Sequence, residues 1–209
     1  MIRNGLRYML VLAVILVILP IASVGAYHDE EGKFSIDPPL GWAIEEADVT
    51  IQEGEATVLV QFLGPVEKGF RINFNIVIET LPFSVTAEEY WTKYGRDMFL
   101  DTFPDTQFLS EGPRTVGGLP AYESVKTYTY QGINIKGKQV CVVRDNVLVF
   151  TYSAKLETYS KYLDAFEQSL ATFTFDEEID QTTTAATPIS IVIGLIIVIV
   201  IPAIAIALI

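Results

Sequence analysis

Histidine and cysteine are almost absent from this 209-residue chain, with one copy of each, His28 and Cys141. A single cysteine excludes an internal disulfide in any compartment. It also leaves no cysteine after the N-terminal apolar run to carry a bacterial lipoprotein anchor. A Cys–His or Ser–His catalytic system would have to use His28, which falls beside a predicted signal-cleavage site and is expected in a loose chain end. Cys141 lies between Val140 and Val142 in a strand-like run and reads as a buried, inert thiol. No CxxC, HxxxH or calcium-loop spacing occurs, so the sequence singles out no metal ligand. No internal repeat is visible.

Positive charge is also scarce. The chain has 14 Lys and Arg against 26 Asp and Glu. All of the acidic residues but only 12 of the basic ones lie between Tyr27 and Asp180, a formal charge of −14 for that segment. Such a surface repels nucleic acid and anionic lipid headgroups, and suits a solvated acidic exterior.

Two stretches lack charge altogether. Tyr8–Leu19 is an unbroken apolar run preceded by Arg3 and Arg7 and ended by Pro20, with Val24-Gly25-Ala26 as small residues at a cleavage site. Residues 1–26 therefore read as a signal peptide, or as an N-terminal membrane helix if uncleaved. Ile189–Ile209 has no charged residue, and as a helix it would be about 31 Å long, the thickness of a bilayer core. Arg3 and Arg7 hold the N-terminus in the cytoplasm, so the domain is expected outside it. The expected layout is an extracytoplasmic domain at 27–175, a polar Thr-rich stalk at 176–188 and a C-terminal transmembrane helix at 189–209. A GPI signal fits less well, because little polar spacer precedes the apolar tail.

The domain alternates short strands with two amphipathic helices. Gly32–Glu46 reads as strand, Pro38-Pro39 turn and strand, with Trp42 as a core anchor. Ala56–Gly64 is a buried strand, with Gly64-Pro65 and Lys68-Gly69 bracketing the turn after it. Phe70–Glu79 alternates, with Phe70, Ile72, Phe74, Ile76 and Ile78 on one face and Arg71, Asn73, Asn75 and Glu79 on the other. That period of 2 predicts a half-covered sheet.

Thr86–Phe103 predicts a helix opened by a Thr86/Glu89 capping box and closed by Pro104, with Trp91, Tyr94 and Met98 toward the sheet. Strands are expected near 106–115, 120–130, 135–144 and 147–153, the last after a two-residue Asp145-Asn146 turn. Tyr159, Tyr162, Phe166, Leu170 and Phe173 mark one face of a final helix. The fold class is α+β, an antiparallel sheet with helices packed on its faces and terminal hydrophobic helices beyond.

One stretch looks chemical. Gly132–Lys138, GINIKGK, fits GxxxxGK, but Gln139 stands where a phosphate loop needs Ser or Thr, and a strand follows instead of a helix. Gly132 and Gly137 read better as turn residues. In the strand beginning at Pro120, Tyr122, Ser124, Lys126, Tyr128 and Tyr130 share one face, and Ala121, Glu123, Val125, Thr127 and Thr129 the other. Neither face is cleanly apolar, so which is covered, and by what, stays open.

FSIDPPLGW, RTVGGLPAYESVKTYTYQGINIKGKQV and VLVFTYSAKLETYSKYLDAFEQSLATFTF together resemble the PsbP-like superfamily, including its DcrB-like and LpqN-like lipoproteins, over most of Lys33–Phe175. The shared pieces are an early hairpin, a GLPAY strand entry and a strand running into a closing helix. The resemblance implies an α/β/α sandwich and a non-catalytic role. Photosynthetic members assist photosystem II assembly and ion retention. Others bind a small GTPase or sit in the cell envelope. The histidines associated with metal in photosynthetic members have no counterpart here, which argues against a photosystem role.

Three functions follow in order of fit. The first is a non-catalytic, outward-facing, membrane-anchored interaction or assembly module with a protein partner in the envelope. The second is a binder of a lipid, glycan or cation in a groove between sheet and helix. The third is a hydrolase using paired carboxylates. No residue is assigned as catalytic, cofactor-binding or metal-binding, and no cofactor, nucleotide or nucleic acid is expected.

Overall fold

A computed structural model describes residues 25–51 and 56–176. The apolar segments, the cleavage site up to Val24 and the stalk beyond Asp176 lie outside these residues. Among the described residues no helix is long and apolar enough to cross a membrane.

The strands are β1 (Tyr27–Asp29), β2 (Phe34–Ile36), β3 (Ala43–Ile51), β4 (Ala56–Glu67), β5 (Phe70–Glu79), β6 (Gln107–Val116), β7 (Leu119–Tyr130), β8 (Ile133–Val143), β9 (Val147–Lys155) and β10 (Thr174–Phe175). Seven of them form one antiparallel sheet in the order β3-β4-β5-β9-β8-β7-β6. A small second sheet, β1-β2-β10, lies apart from it. Strand–turn–strand around Pro38-Pro39 is therefore correct, but β2 and β3 are not a hairpin, because they belong to different sheets. Trp42 is buried as expected, against Gly64, where a Cβ would meet its ring at 2.9 Å.

Both faces of the large sheet are covered, which corrects the half-covered reading of β5. One face packs under α3 (Tyr159–Ala171) and the small sheet, with Ile72, Phe74, Ile76, Phe150, Tyr152, Phe166 and Leu170 in one aromatic-rich core. The other lies under a helical segment running from Ala87 to Thr102. Asn73, Asn75 and Glu79 point to that second face and are buried. Phe70, expected with Ile72, instead joins Met98, Phe99 and Phe103 beneath the helical segment.

Turn chemistry sets the register. Lys68-Gly69, Gly117-Gly118 and Gln131-Gly132 all have positive φ, the geometry of tight two-residue hairpins. β4 runs through Gly64-Pro65 with a register shift there, so only Lys68-Gly69 makes the turn. Gly137 is not a turn residue; it lies inside β8, opposite Lys126. Val143 pairs with Val147, so the β8–β9 loop has three residues, Arg144, Asp145 and Asn146.

The ends of the domain meet. β1 and β10 both pair with β2, and Asp176 N–H donates to the Lys33 carbonyl. His28 is thus in a strand and not in a loose end. Its Nδ1 lies 3.2 Å from Ser35 Oγ and 3.7 Å from Asp176 Oδ1.

Candidate functional site

The first helix is not continuous. α1 (Ala87–Tyr90) opens with the expected capping box, in which Glu89 N–H donates to Thr86 Oγ1 and Thr86 N–H donates to the Glu89 carboxylate. A π-helical turn, Trp91–Gly95, follows, where Arg96 N–H reaches back five residues to the Trp91 carbonyl. α2 (Arg96–Thr102) completes the segment. The wider turn advances less per residue, so Gly95 rather than Tyr94 returns to the sheet side. Trp91 and Met98 face the sheet as expected, whereas Tyr94 is exposed and packs at a 40° tilt against Phe83, ring centroids 5.5 Å apart. Such turns recur at functional sites.

Beneath this segment the sheet presents a polar line. Successive cross-strand partners are Gln61, Asn75, Thr151, Gln139, Ser124 and Glu111, one from each of β4, β5, β9, β8, β7 and β6. Directly opposed residues share a face with Cβ atoms about 5 Å apart. The adjacent line is Asn73, Ser153, Gly137 and Lys126. Lys126 pairs with Gly137 across the strands, and the space over that glycine is taken by the Tyr128 ring, 3.4 Å from where a Cβ would stand.

Lys126 is only 1% exposed. Its Nζ sits 4.4 Å from the Trp91 ring centroid and 4.2 Å from that of Phe99, and donates to Gln139 Oε1 at 2.6 Å. Burial pulls its ammonium down to about 7, against weaker support from Cys141 and Glu111. Glu111 in turn accepts from Trp91 Nε1 at 2.6 Å and pairs with Arg96 at 3.5 Å.

A second buried ionisable group lies under α1. Glu79 accepts from Tyr90 O–H at 2.8 Å, and burial raises its carboxyl to about 7 despite that bond. Cys141 is buried between them in sequence register. Its thiol contacts the Ala87 and Tyr122 carbonyls at 3.5 Å, and burial pushes it up to about 12. That agrees with an inert thiol.

Several atoms on this face have no hydrogen-bond partner among the described residues: Gln61 Oε1, Asn73 Oδ1, Asn75 Oδ1, Glu79 Oε1, Ser124 Oγ and Thr151 Oγ1. Each such group costs about 1–3 kcal/mol when kept from water. Tyr159 O–H is the one counterpart under α3. The α3 side holds its charges in a network instead: Arg114 and Lys138 each bridge Glu123 and Glu167, at 2.5–3.2 Å.

The sequence left the mixed face of β7 open and assigned no site residue. Its Tyr122, Ser124, Lys126, Tyr128 face is the one under the broken helix. Lys126 opposite Gly137, with Trp91 and Phe99 at helical spacing, was the available signal; only the pairing register joins them. Gly132-Ile-Asn-Ile-Lys-Gly137 forms a turn and strand with no helix N-terminus. Glu45 and Glu46 are exposed on the edge strand β3, and among the described residues no three His, Cys, Asp or Glu side chains converge as metal ligands.

No protein-family model and no curated protein matches the sequence. Solved structures do. PsbP from the cyanobacterium Synechocystis aligns with a TM-score of 0.53 at 16% identity, over 74% of this chain and 94% of that one. LpqN of Mycobacterium tuberculosis, described as involved in cell envelope biogenesis, aligns with a TM-score of 0.50 at 15% identity, over 73% and 90%. A Pseudomonas aeruginosa protein of unknown function gives 0.50 at 15%, over 76% and 98%. At these identities the likeness is one of fold: the domain has the PsbP-like α+β architecture.

Proposed function

We propose that this protein is a non-catalytic interaction module, held at a membrane with its PsbP-like domain outside the cytoplasm. The observation that carries this reading is where the chain leaves the domain. The carbonyl of Asp176, the last described residue, accepts from Arg144 of the β8–β9 loop at 3.4 Å, so the chain leaves toward the acidic stalk and the uncharged segment 189–209 from that end of the sheet. When the segment beyond Asp176 enters a bilayer, the β8–β9 end of the sheet lies on the membrane side, and the β4–β5, β7–β8 and β9–α3 connections, at the opposite ends of their strands, face away toward a partner. The envelope setting of LpqN supports the same placement. The partner is expected to be an envelope protein that tolerates an acidic surface.

Crosslinking of the full chain in its native membrane tests this. A recurrent partner, attached through the far-side connections, is the expected result. Only random neighbours, or accessibility of the domain to a protease added on the cytoplasmic side, would overturn it.

A second reading, a binder of a small ligand between sheet and helix, is favoured by the unpartnered polar atoms on the sheet floor. Native mass spectrometry that finds a retained small molecule would favour it over the first.

A further inference from the structure

The two layers that cover the sheet grip it differently. α3 rests on a continuous aromatic and aliphatic core. The buried apolar contacts of the Ala87–Thr102 segment fall in two separate clusters. At one end Ala87, Tyr90 and Trp91 join Cys141, Val147 and Val149. At the other Met98 and Phe99 join Phe70, Tyr128 and Ile135. Between these clusters lies the polar floor, which carries most of the unpartnered buried atoms of the described chain. The cover also contains no strand, so moving it breaks no sheet hydrogen bond.

We propose that Ala87–Thr102 is a hinged cover that lifts from the sheet by unwinding at the π turn while the connections on either side flex, and so exposes both the polar floor and its own backbone amides. Lifting lets water satisfy Asn73, Asn75, Thr151, Ser124 and Gln61, and returns Lys126 and Glu79 to solvent. The opposing forces are the two apolar grips, the Tyr90–Glu79 and Trp91–Glu111 hydrogen bonds and the Arg96–Glu111 ion pair. Catalysis, membrane anchoring and a partner play no part in this device, so it stands apart from the function proposed above.

The two buried groups give the motion a pH signature. Facing Lys126 are Glu111 from β6, Cys141 and Gln139 from β8, and the Trp91 and Phe99 rings; facing Glu79 are Tyr90 from α1 and Cys141 from β8. When the cover is closed both titrate at about 7, and when it is lifted they return toward 10.5 and 4.5. Rising pH between 4.5 and 7 therefore favours opening, because only the lifted state ionises Glu79. Rising pH between 7 and 10.5 disfavours it, because the lifted state holds the extra proton on Lys126. Opening is easiest near neutrality, on the order of tenfold more populated at pH 7 than at pH 5 or 9.

Hydrogen–deuterium exchange on the full chain in lipid nanodiscs tests the cover, with intrinsic exchange rates divided out. Amides of residues 91–102 are expected to exchange through a local opening at least about tenfold more frequent than that of α3, with least protection near pH 7. Glu79→Gln should abolish the acid-side change and Lys126→Met the alkaline-side change. Equal protection of the two helical layers at every pH would overturn the proposal, and this comparison needs only the wild-type chain. A pH profile left unchanged by both variants would overturn the assignment to these two groups.

Discussion

Replacing Lys126 with methionine is expected to be better tolerated by the domain in acid than in alkali. A fall of its ammonium from 10.5 to about 7 corresponds to about 5 kcal/mol for carrying the charge in the folded state. A depressed lysine imposes that cost in full below its folded value of about 7. The cost then fades as pH rises toward the unfolded value of 10.5. Methionine fills similar space and carries no charge. Against it stand two lost ring contacts, each about 0.5–2 kcal/mol, and the stranded Gln139 oxygen, about 1–3 kcal/mol. The net expectation at pH 5.5 runs from a gain of about 3 kcal/mol to a loss of about 2 kcal/mol, and at pH 9.5 the variant fares about 3 kcal/mol worse than at pH 5.5 relative to the wild type. Urea unfolding of residues 27–176, followed by tryptophan fluorescence at both pH values, measures the difference. A variant that loses more stability at pH 5.5 than at pH 9.5 would refute the reasoning. It would show that Lys126 is a permanent buried cation.

Glu79→Gln mimics the neutral acid and keeps an acceptor for Tyr90. Because the folded value is raised, the wild type loses stability as pH climbs from 4.5 through about 7, so urea unfolding should show no difference at pH 4 and a gain of about 3 kcal/mol above pH 7. Cys141, 1% exposed with a thiol raised to about 12, should react with a disulfide reagent in the native state only through opening of the segment above it, far more slowly than in denaturant; native labelling as fast as in denaturant would contradict its packing against Ala87 and Tyr122. Gly117→Ala places a Cβ 2.9 Å from the Phe173 ring at a φ of +55°, and thermal unfolding should show a loss of about 1–3 kcal/mol.

The elements most legible in the sequence were those with one dominant local signal. The Thr86/Glu89 box, the glycine-bearing turn at Lys68-Gly69 and the Tyr159–Phe173 stripe each fix structure within a few residues. β1 and β10 were missed because three-residue and two-residue strands have no period to detect, and they exist only through pairing with β2. Tyr94 was misplaced because a π turn has no sequence signature distinct from an α-helix. The period-2 pattern of β5 was read correctly as two faces, but polar residues on one of them were taken to mean solvent. Asn73 and Glu79 are instead fully covered, and only the tertiary placement of the helical segment reveals it.

That same mismatch explains how the candidate site came to be hidden. Alternation in β5 and β7 reports chemistry, not exposure, and the two coincide only where a face is wet. Here α3 and the small sheet supply the apolar packing that holds the fold, with Phe34, Phe62, Phe74, Phe150, Phe166 and Phe173 all on that side. The opposite face therefore need not be optimised for stability. Its buried lysine, its raised carboxyl and its unpartnered amides all weaken closure, and apolar replacements at those positions would strengthen it. A face built for packing alone would have no reason to place Lys126 opposite a glycine, under two aromatic rings and a widened helical turn. The simplest physical account is that one layer carries the stability and the other is left free to move.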